Sequence, residues 1–284
     1  MRKLSFEIIW THLSITIDGE QNADAIFESI KQRLQDFELT FSRFIEGNWL
    51  FQLNTTRQWV LDMDGKNMLL FALDMAEKTD GYFDPTVGKR LTELWYGNQK
   101  LTAESIQTIK WYDDYRDIEI RGDEVFLHGN VFLEFGWVGK GYLIDVIKEM
   151  LDVYPRYLIN FGWDMYGRWG WNVWLESPFV SDELIWTFLL TDTFLACSAG
   201  NKRKWGEYHH LIDPKTGYSS TEVIATFIEG SSGILTDSYA TALSVMPWER
   251  AIDTLRKTKN ISGVLVRYDG ILFQKSESQM ELFQ

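Results

Sequence analysis

The chain contains a single cysteine, Cys197, in 284 residues. That excludes an internal disulfide and any metal site built from clustered cysteines. It fits a reducing compartment. Basic charge is also scarce: 28 Lys and Arg stand against 41 Asp and Glu, for a formal net charge of −13. Such a surface repels phosphate backbones, so a nucleic-acid partner is not expected, and an anionic ligand needs a local exception, either a metal ion or a well-placed lysine. No apolar run approaches the length that spans a bilayer. Glu7 interrupts the first one (Phe6-Glu7-Ile8-Ile9-Trp10), and no signal-peptide core follows. The expected location is therefore the cytoplasm. Pro/Gly/Ser-rich linkers, charge blocks and repeats of solenoid or propeller period are missing too. Residues 1–284 read as one unit, with room for two lobes.

What is present is core material: 45% of the residues are hydrophobic and 15% aromatic. The alternation in residues 6–17 predicts a strand. Ile26, Phe27, Ile30, Leu34 and Phe37 recur at helical spacing in residues 22–37, and Met68, Leu69, Ala72, Leu73 and Ala76 do so in 65–80, with Gly81 as a stop. Further helices are expected at 88–96, 140–153, 233–246 and 248–257. Strands are expected within 116–136, near 156–161, 171–176, 184–190, 193–197 and 222–228, and in a hairpin over 262–274 that turns at Asp269-Gly270. Mixed runs without strict alternation predict an α+β fold.

Four segments combine glycine, polar and charged residues beyond what packing requires. Asp84-Pro85-Thr86, within residues 81–88, makes a tight polar turn, and an ordinary connector would look the same. Residues 136–142 place Gly136, Gly139, Lys140 and Gly141 where a strand meets a helix. Glycines admit a ligand to the backbone, and a helix start with a lysine attracts an anion, although the spacing is not that of a Walker A loop. His209 and His210 are adjacent, so in a strand they face opposite ways and at most one can enter a given site. A neutral imidazole suits a general base. Asp237 and Thr241 are four apart, which on a helix puts their oxygens on one face. An all-oxygen site of that kind suits Mg²⁺ better than Zn²⁺, and a helix cap is the competing explanation.

From about residue 6 to residue 274 the chain resembles the ApbE family of FAD:protein FMN transferases. The resemblance is carried by Phe41-Ser42-Arg43-Phe44, Leu53-Asn54, Gly81 through Gly88, Glu134 through Tyr142, Asn160 through Asp164, His210 through Gly217 and Asp237 through Thr241, in that order. It implies a T-fold-like α+β architecture that binds FAD and Mg²⁺, and transfer of FMN to a Ser or Thr hydroxyl of an acceptor flavoprotein with release of AMP. The alternatives within the resemblance are a pyrophosphatase giving FMN and AMP and a non-catalytic flavin-binding relative. By position, the resemblance makes Asp237, Thr241 and the carbonyl of Gly139 metal ligands, places Lys140 near the phosphates, and makes His210 the base. It puts Asn54, Asp84, Thr86, Gly162 and Asp164 around the flavin nucleotide.

The chain departs from the family pattern where Trp10, Trp137 and Trp163 stand in place of glycine, where Ala199 ends a Thr-Ser-Gly-like run, and where Glu134 replaces aspartate. An indole removes both the close approach and the positive φ that glycine allows. Three readings follow: the indoles stack on a flavin ring or reshape its pocket, they fill the pocket, or they are compensating core packing.

Overall fold

The computed structural model describes residues 1–9, 11–19, 22–43, 45–95, 114–180, 183–201, 204–205, 208–275 and 281–282. Trp10 and Phe44 lie outside them.

One eight-stranded antiparallel sheet organises the molecule. Its order is β1 (Arg2–Ile8), β2 (Thr11–Ile17), β6 (Tyr157–Phe161), β7 (Asp164–Arg168), β10 (Thr193–Ala199), β15 (Val223–Gly230), β16 (Ile261–Arg267) and β17 (Leu272–Gln274). The expected single strand over 6–17 is two strands, because the chain reverses at Ile9, which has φ 50°. Strand β7 has no counterpart in the sequence reading. Between β2 and β6 along the chain, β3 (Gln58–Val60), β4 (Ile118–Arg121) and β5 (Glu124–Leu127) form a small separate sheet, and β4 and β5 turn at the Gly122-Asp123 step.

Strand alternation gives the central sheet two faces, and both are covered. Phe194 and Ala196 of β10 point into the larger core with the helices, and Leu195 points into the smaller one. The smaller core is closed by a hairpin of β8 (Trp171–Glu176) and β9 (Leu184–Leu190), which contribute Val173, Leu175, Trp186 and Phe188. A strand covered on both sides has no polar face, and seven of the eight residues of β15 are buried.

On the larger face, helix α1 (Asp24–Phe41) buries Phe27, Ile30, Leu34, Phe37 and Phe41, a run of alternating three- and four-residue steps. Helix α2 (Trp49–Thr56), absent from the sequence reading, is capped by the Asn48 side chain accepting from the Phe51 N–H at 2.8 Å. Helix α3 (Met63–Lys78) is capped by Asp62, and α4 (Gly88–Trp95) follows the polar turn at Asp84. Helix α5 (Gly139–Met150) and helix α6 (Gly233–Val245) pack against each other, and α7 (Trp248–Lys257) precedes β16. Every residue of α6 from Thr236 to Val245 is buried. Hydroxyl residues Thr236, Ser238, Thr241 and Ser244 are buried within it, and Asp237 is its one buried ionisable carboxyl group. Among the described residues no helix is long and apolar enough to cross a membrane.

Candidate active site

Two helices meet almost backbone to backbone to build the site. A Cβ on Gly141 would collide with the Gly233 carbonyl, and one on Gly233 would stand 2.6 Å from the Gly141 oxygen. Only glycine on both sides allows this approach. It brings Asp237 of α6 to the start of α5, where its Oδ2 accepts a hydrogen bond from the Gly141 N–H at 3.0 Å. The first turn of α5 has no cap of its own at Val138. Asp237 serves instead, and the exposed N–H groups and helix dipole favour the carboxylate there.

The other Asp237 oxygen, Oδ1, lies 3.3 Å from the Lys140 ammonium. The same ammonium is paired with Asp164. Asp164 leaves β7 at its first residue, and its Oδ1 accepts from the Cys197 N–H of β10 at 3.1 Å. Both carboxylates are almost fully buried, each with a side chain 3% exposed. One lysine thus faces two buried carboxyl groups. Burial, helped by the nearby Asp237 charge and opposed by Lys140, pushes the Asp164 carboxyl up from its ordinary value. Desolvation and the Asp164 charge push the Cys197 thiol up as well, which argues against a thiolate nucleophile.

Thr241, one turn after Asp237, places its hydroxyl 3.4 Å from that of Ser198 on β10. Asp237, Thr241, Ser198, Gly139 and Lys140 all border one cavity of about 780 Å³. This is the size range of cofactor pockets. The donor set fits a hard divalent cation: a carboxylate oxygen of Asp237, the hydroxyls of Thr241 and Ser198, and main chain at Gly139. Among the described residues no group of three or more His, Cys, Asp or Glu side chains could hold a metal. The oxygen set here does not depend on one.

His210 and Gly162 also line the cavity. The two histidines divide as strand geometry requires. His209, at the end of β12 (Tyr208–His209), is 3% exposed; its Nε2 donates to the Ser220 carbonyl at 2.8 Å and its Nδ1 accepts from the Leu211 N–H at 3.3 Å. Burial holds its pKa below the ordinary value, so it stays a neutral structural group. His210 faces the cavity.

Four residues expected around the flavin nucleotide do not border the cavity: Asn54, Asp84, Thr86 and Asp164, the last standing behind it as the partner of Lys140. Asn54 is buried and spans Leu133, donating to its carbonyl at 3.0 Å and accepting from its N–H at 2.8 Å. Asp84 accepts from both the N–H (2.8 Å) and the hydroxyl (2.7 Å) of Thr86, closing an Asx turn on itself. Their polar atoms are spent on shaping the loops that precede the site. Glu134 is likewise engaged, by Arg43 at 2.8 Å and by the Gly136 N–H at 2.6 Å, and thereby shapes the loop leading to Lys140.

The indoles separate as well. Trp137 is 7% exposed and meets Phe83 edge-on, with ring centroids 6.0 Å apart, so most of it is packing. Trp163 is 45% exposed. Neither plugs the cavity that both border. Ser198 was missed by sequence reasoning. Its signal was the Ala196-Cys197-Ser198-Ala199 run, where strand alternation aims Ser198 and Ala196 to one side.

Fold and site together define an α+β protein with one cavity on which the oxygens of Asp237, Thr241 and Ser198 stand beside a lysine and a histidine. The sequence model of the ApbE family matches residues 10–265, and the chain belongs to that family. An FAD:protein FMN transferase of Klebsiella pneumoniae is 22% identical over 276 residues, covering 87% of this chain and 78% of that protein. One from Treponema pallidum is 24% identical over 279 residues, covering 85% and 77%. Among solved structures, the ApbE protein of Thermotoga maritima superposes with a TM-score of 0.88 at 23% identity, covering 97% of each chain. The flavin transferase ApbE of Vibrio cholerae gives 0.85 at 18%, again over 97% of each.

Proposed function

We propose that this protein is an Mg²⁺-dependent FAD:protein FMN transferase, which moves FMN from FAD to a Ser or Thr hydroxyl of an acceptor protein and releases AMP. The observation that carries the reading is that Lys140 stands between two buried carboxyl groups, Asp164 and Asp237, with Lys140, Asp237 and His210 all bordering one cavity. Similar members of the same family bear the name of that reaction.

Asp237, Thr241 and the Gly139 carbonyl would hold the cation, with Ser198 beside Thr241. When bound, Mg²⁺ supplies charge neutralisation on the diphosphate oxygens. Lys140 also acts on the substrate, because its ammonium can turn from the aspartates toward a phosphate oxygen and offset charge as the diphosphate is cleaved. His210 takes the proton from the acceptor hydroxyl at an imidazole nitrogen, since a neutral Ser or Thr is a weak nucleophile. The hydroxyl oxygen forms a bond to the FMN-side phosphorus, the bond from that phosphorus to the bridging oxygen breaks, and AMP departs with the bridging electrons.

The test is incubation with FAD, Mg²⁺ and a candidate acceptor, with AMP measured by chromatography and the acceptor by intact mass. The expected result is AMP and FMN-modified acceptor in equal amounts, abolished by chelation. AMP with only free FMN would replace the transferase with a pyrophosphatase. No AMP under any condition would leave a non-catalytic relative.

A further inference from the structure

The turn between β6 and β7 consists of two residues, Gly162 and Trp163, because Phe161 pairs directly with Asp164. Both have positive φ, 61° and 77°. A two-residue hairpin loop with that signature is a type I′ turn, whose two positions prefer Asn, Asp and Gly. At Gly162 the preference is absolute here, since a Cβ would collide with the Thr11 hydroxyl. At Trp163 the chain departs from it and places its bulkiest side chain in the left-handed region, where a bulky residue is an outlier. The Trp163 N–H donates to the Asn160 Oδ1 at 3.2 Å, which holds the turn.

The core does not account for this indole, which is 45% exposed. Of the exposed large hydrophobic residues among those described, Trp163 alone borders the cavity. Its chain neighbour is Asp164, the partner of Lys140. A flat apolar surface therefore sits one residue from the partner of the ammonium that would meet a phosphate. A left-handed backbone at a bulky residue on a cavity wall is a local cost, and such outliers gather at ligand sites. The ligand chemistry that uses both features is a planar heteroaromatic ring joined through a sugar or sugar alcohol to phosphate.

We propose that Trp163 is a binding residue that stacks on one of the two heteroaromatic rings of a dinucleotide substrate, held face-on by the type I′ turn. The proposal rests on reading the cavity as the FAD site. Trp169 supplies an internal control. It is also exposed (68%) and left-handed (φ 63°) in a tight turn, but it does not border the cavity.

The experiment compares wild type, Trp163→Gly, Trp163→Phe and Trp169→Gly by calorimetric titration with FAD, FMN and ADP, each with Mg²⁺. Trp163→Gly removes the ring and relieves the backbone at once, so the protein should fold with unchanged or higher stability, checked by denaturant unfolding. The Kd for FAD should rise roughly ten- to a hundredfold in Trp163→Gly, the loss expected for one ring stack. It should rise about threefold or less in Trp163→Phe, which keeps a stacking face, and stay unchanged in Trp169→Gly. FMN or ADP, whichever carries the stacked ring, should lose affinity in the same ratio while the other keeps it. Wild type and Trp163→Gly binding FAD equally would overturn the proposal and leave the FAD reading standing. So would Trp163→Phe binding as weakly as the glycine variant, or Trp169→Gly losing affinity alongside it. A wild-type protein that binds none of the three ligands would overturn both.

Discussion

Asp145 and Asp237 are exchanged between two helices, each capping the helix that the other belongs to. Asp237 of α6 accepts from the Gly141 N–H of α5 at 3.0 Å. Asp145 of α5 accepts from the Gly233 and Ile234 N–H groups of α6 at 2.8 and 2.9 Å, and from the Ser232 hydroxyl at 3.1 Å. The two carboxylates make similar bonds, but only Asp237 borders the cavity.

That difference separates their mutants. Asp145→Ala should cost about 1–2 kcal/mol of unfolding free energy, the value of a helix cap together with orphaned N–H groups. Its folded fraction should keep most of its AMP-releasing activity. Denaturant melts alongside AMP release corrected for folded fraction decide this, and a stable but inactive variant would contradict it.

Asp237→Asn should behave in the opposite way. The amide oxygen can still cap α5, so the melt should shift little. The charge that would hold a cation is gone, and Mg²⁺-dependent AMP release should fall roughly a hundredfold or more, the scale at which lost electrostatic stabilisation shows in rate.

The adjacent histidines allow a sharper contrast. His210→Ala should slow FMN transfer roughly 10²–10⁴-fold, the usual contribution of a general base, with FAD affinity nearly unchanged. His209→Ala should instead destabilise the fold by about 1–3 kcal/mol, because the Ser220 carbonyl and the Leu211 N–H lose their partner. Transfer rates, FAD titrations and melts on both variants would expose a reversal of these roles.

Asp84 sets a pH dependence remote from the cavity. Burial pushes its carboxyl up from 3.8 to about 6, against the two hydrogen bonds from Thr86. Between those values the folded state holds a proton that the unfolded state has released, so this group's contribution to stability falls as pH rises from about 4 to about 6 and is constant above. The loss is about 3 kcal/mol at most. Asp84→Asn keeps the acceptor for Thr86 and has no proton to lose. The variant should gain on wild type across that window in unfolding measurements at a series of pH values; parallel curves would show that Asp84 does not titrate there.

The long helices were legible because their apolar spacing is local: Phe27, Ile30, Leu34 and Phe37 announce α1, and the expected 248–257 helix ends where α7 does. Strands covered on both faces, such as β15, could be placed from their apolar runs. The short β7 could not, because Asp-Met-Tyr-Gly-Arg shows no alternation and is buried through its neighbours. At the site, Lys140, His210, Asp237 and Thr241, singled out by the order of motifs, border one cavity. That Asn54 lies off it has a physical cause: whether its amide faces a ligand or a carbonyl depends on Leu133, 79 residues away. The Asp84 turn reads the same in sequence whether it folds on itself or on a ligand. The left-handed conformation of Trp163 is set by hairpin register, which its side chain gives no hint of.

Lys140 has one more consequence. With its ammonium tucked between Asp164 and Asp237, the chain carries a counter-ion of its own at the place where an external one would be recruited. The helices meet through facing glycines and exchanged carboxylate caps, unlike a zinc finger, whose shape exists only around its ion. On the proposed reading, a divalent cation entering here would displace or share with a tethered monovalent one, with the Asp145 cap on the partner helix left in place.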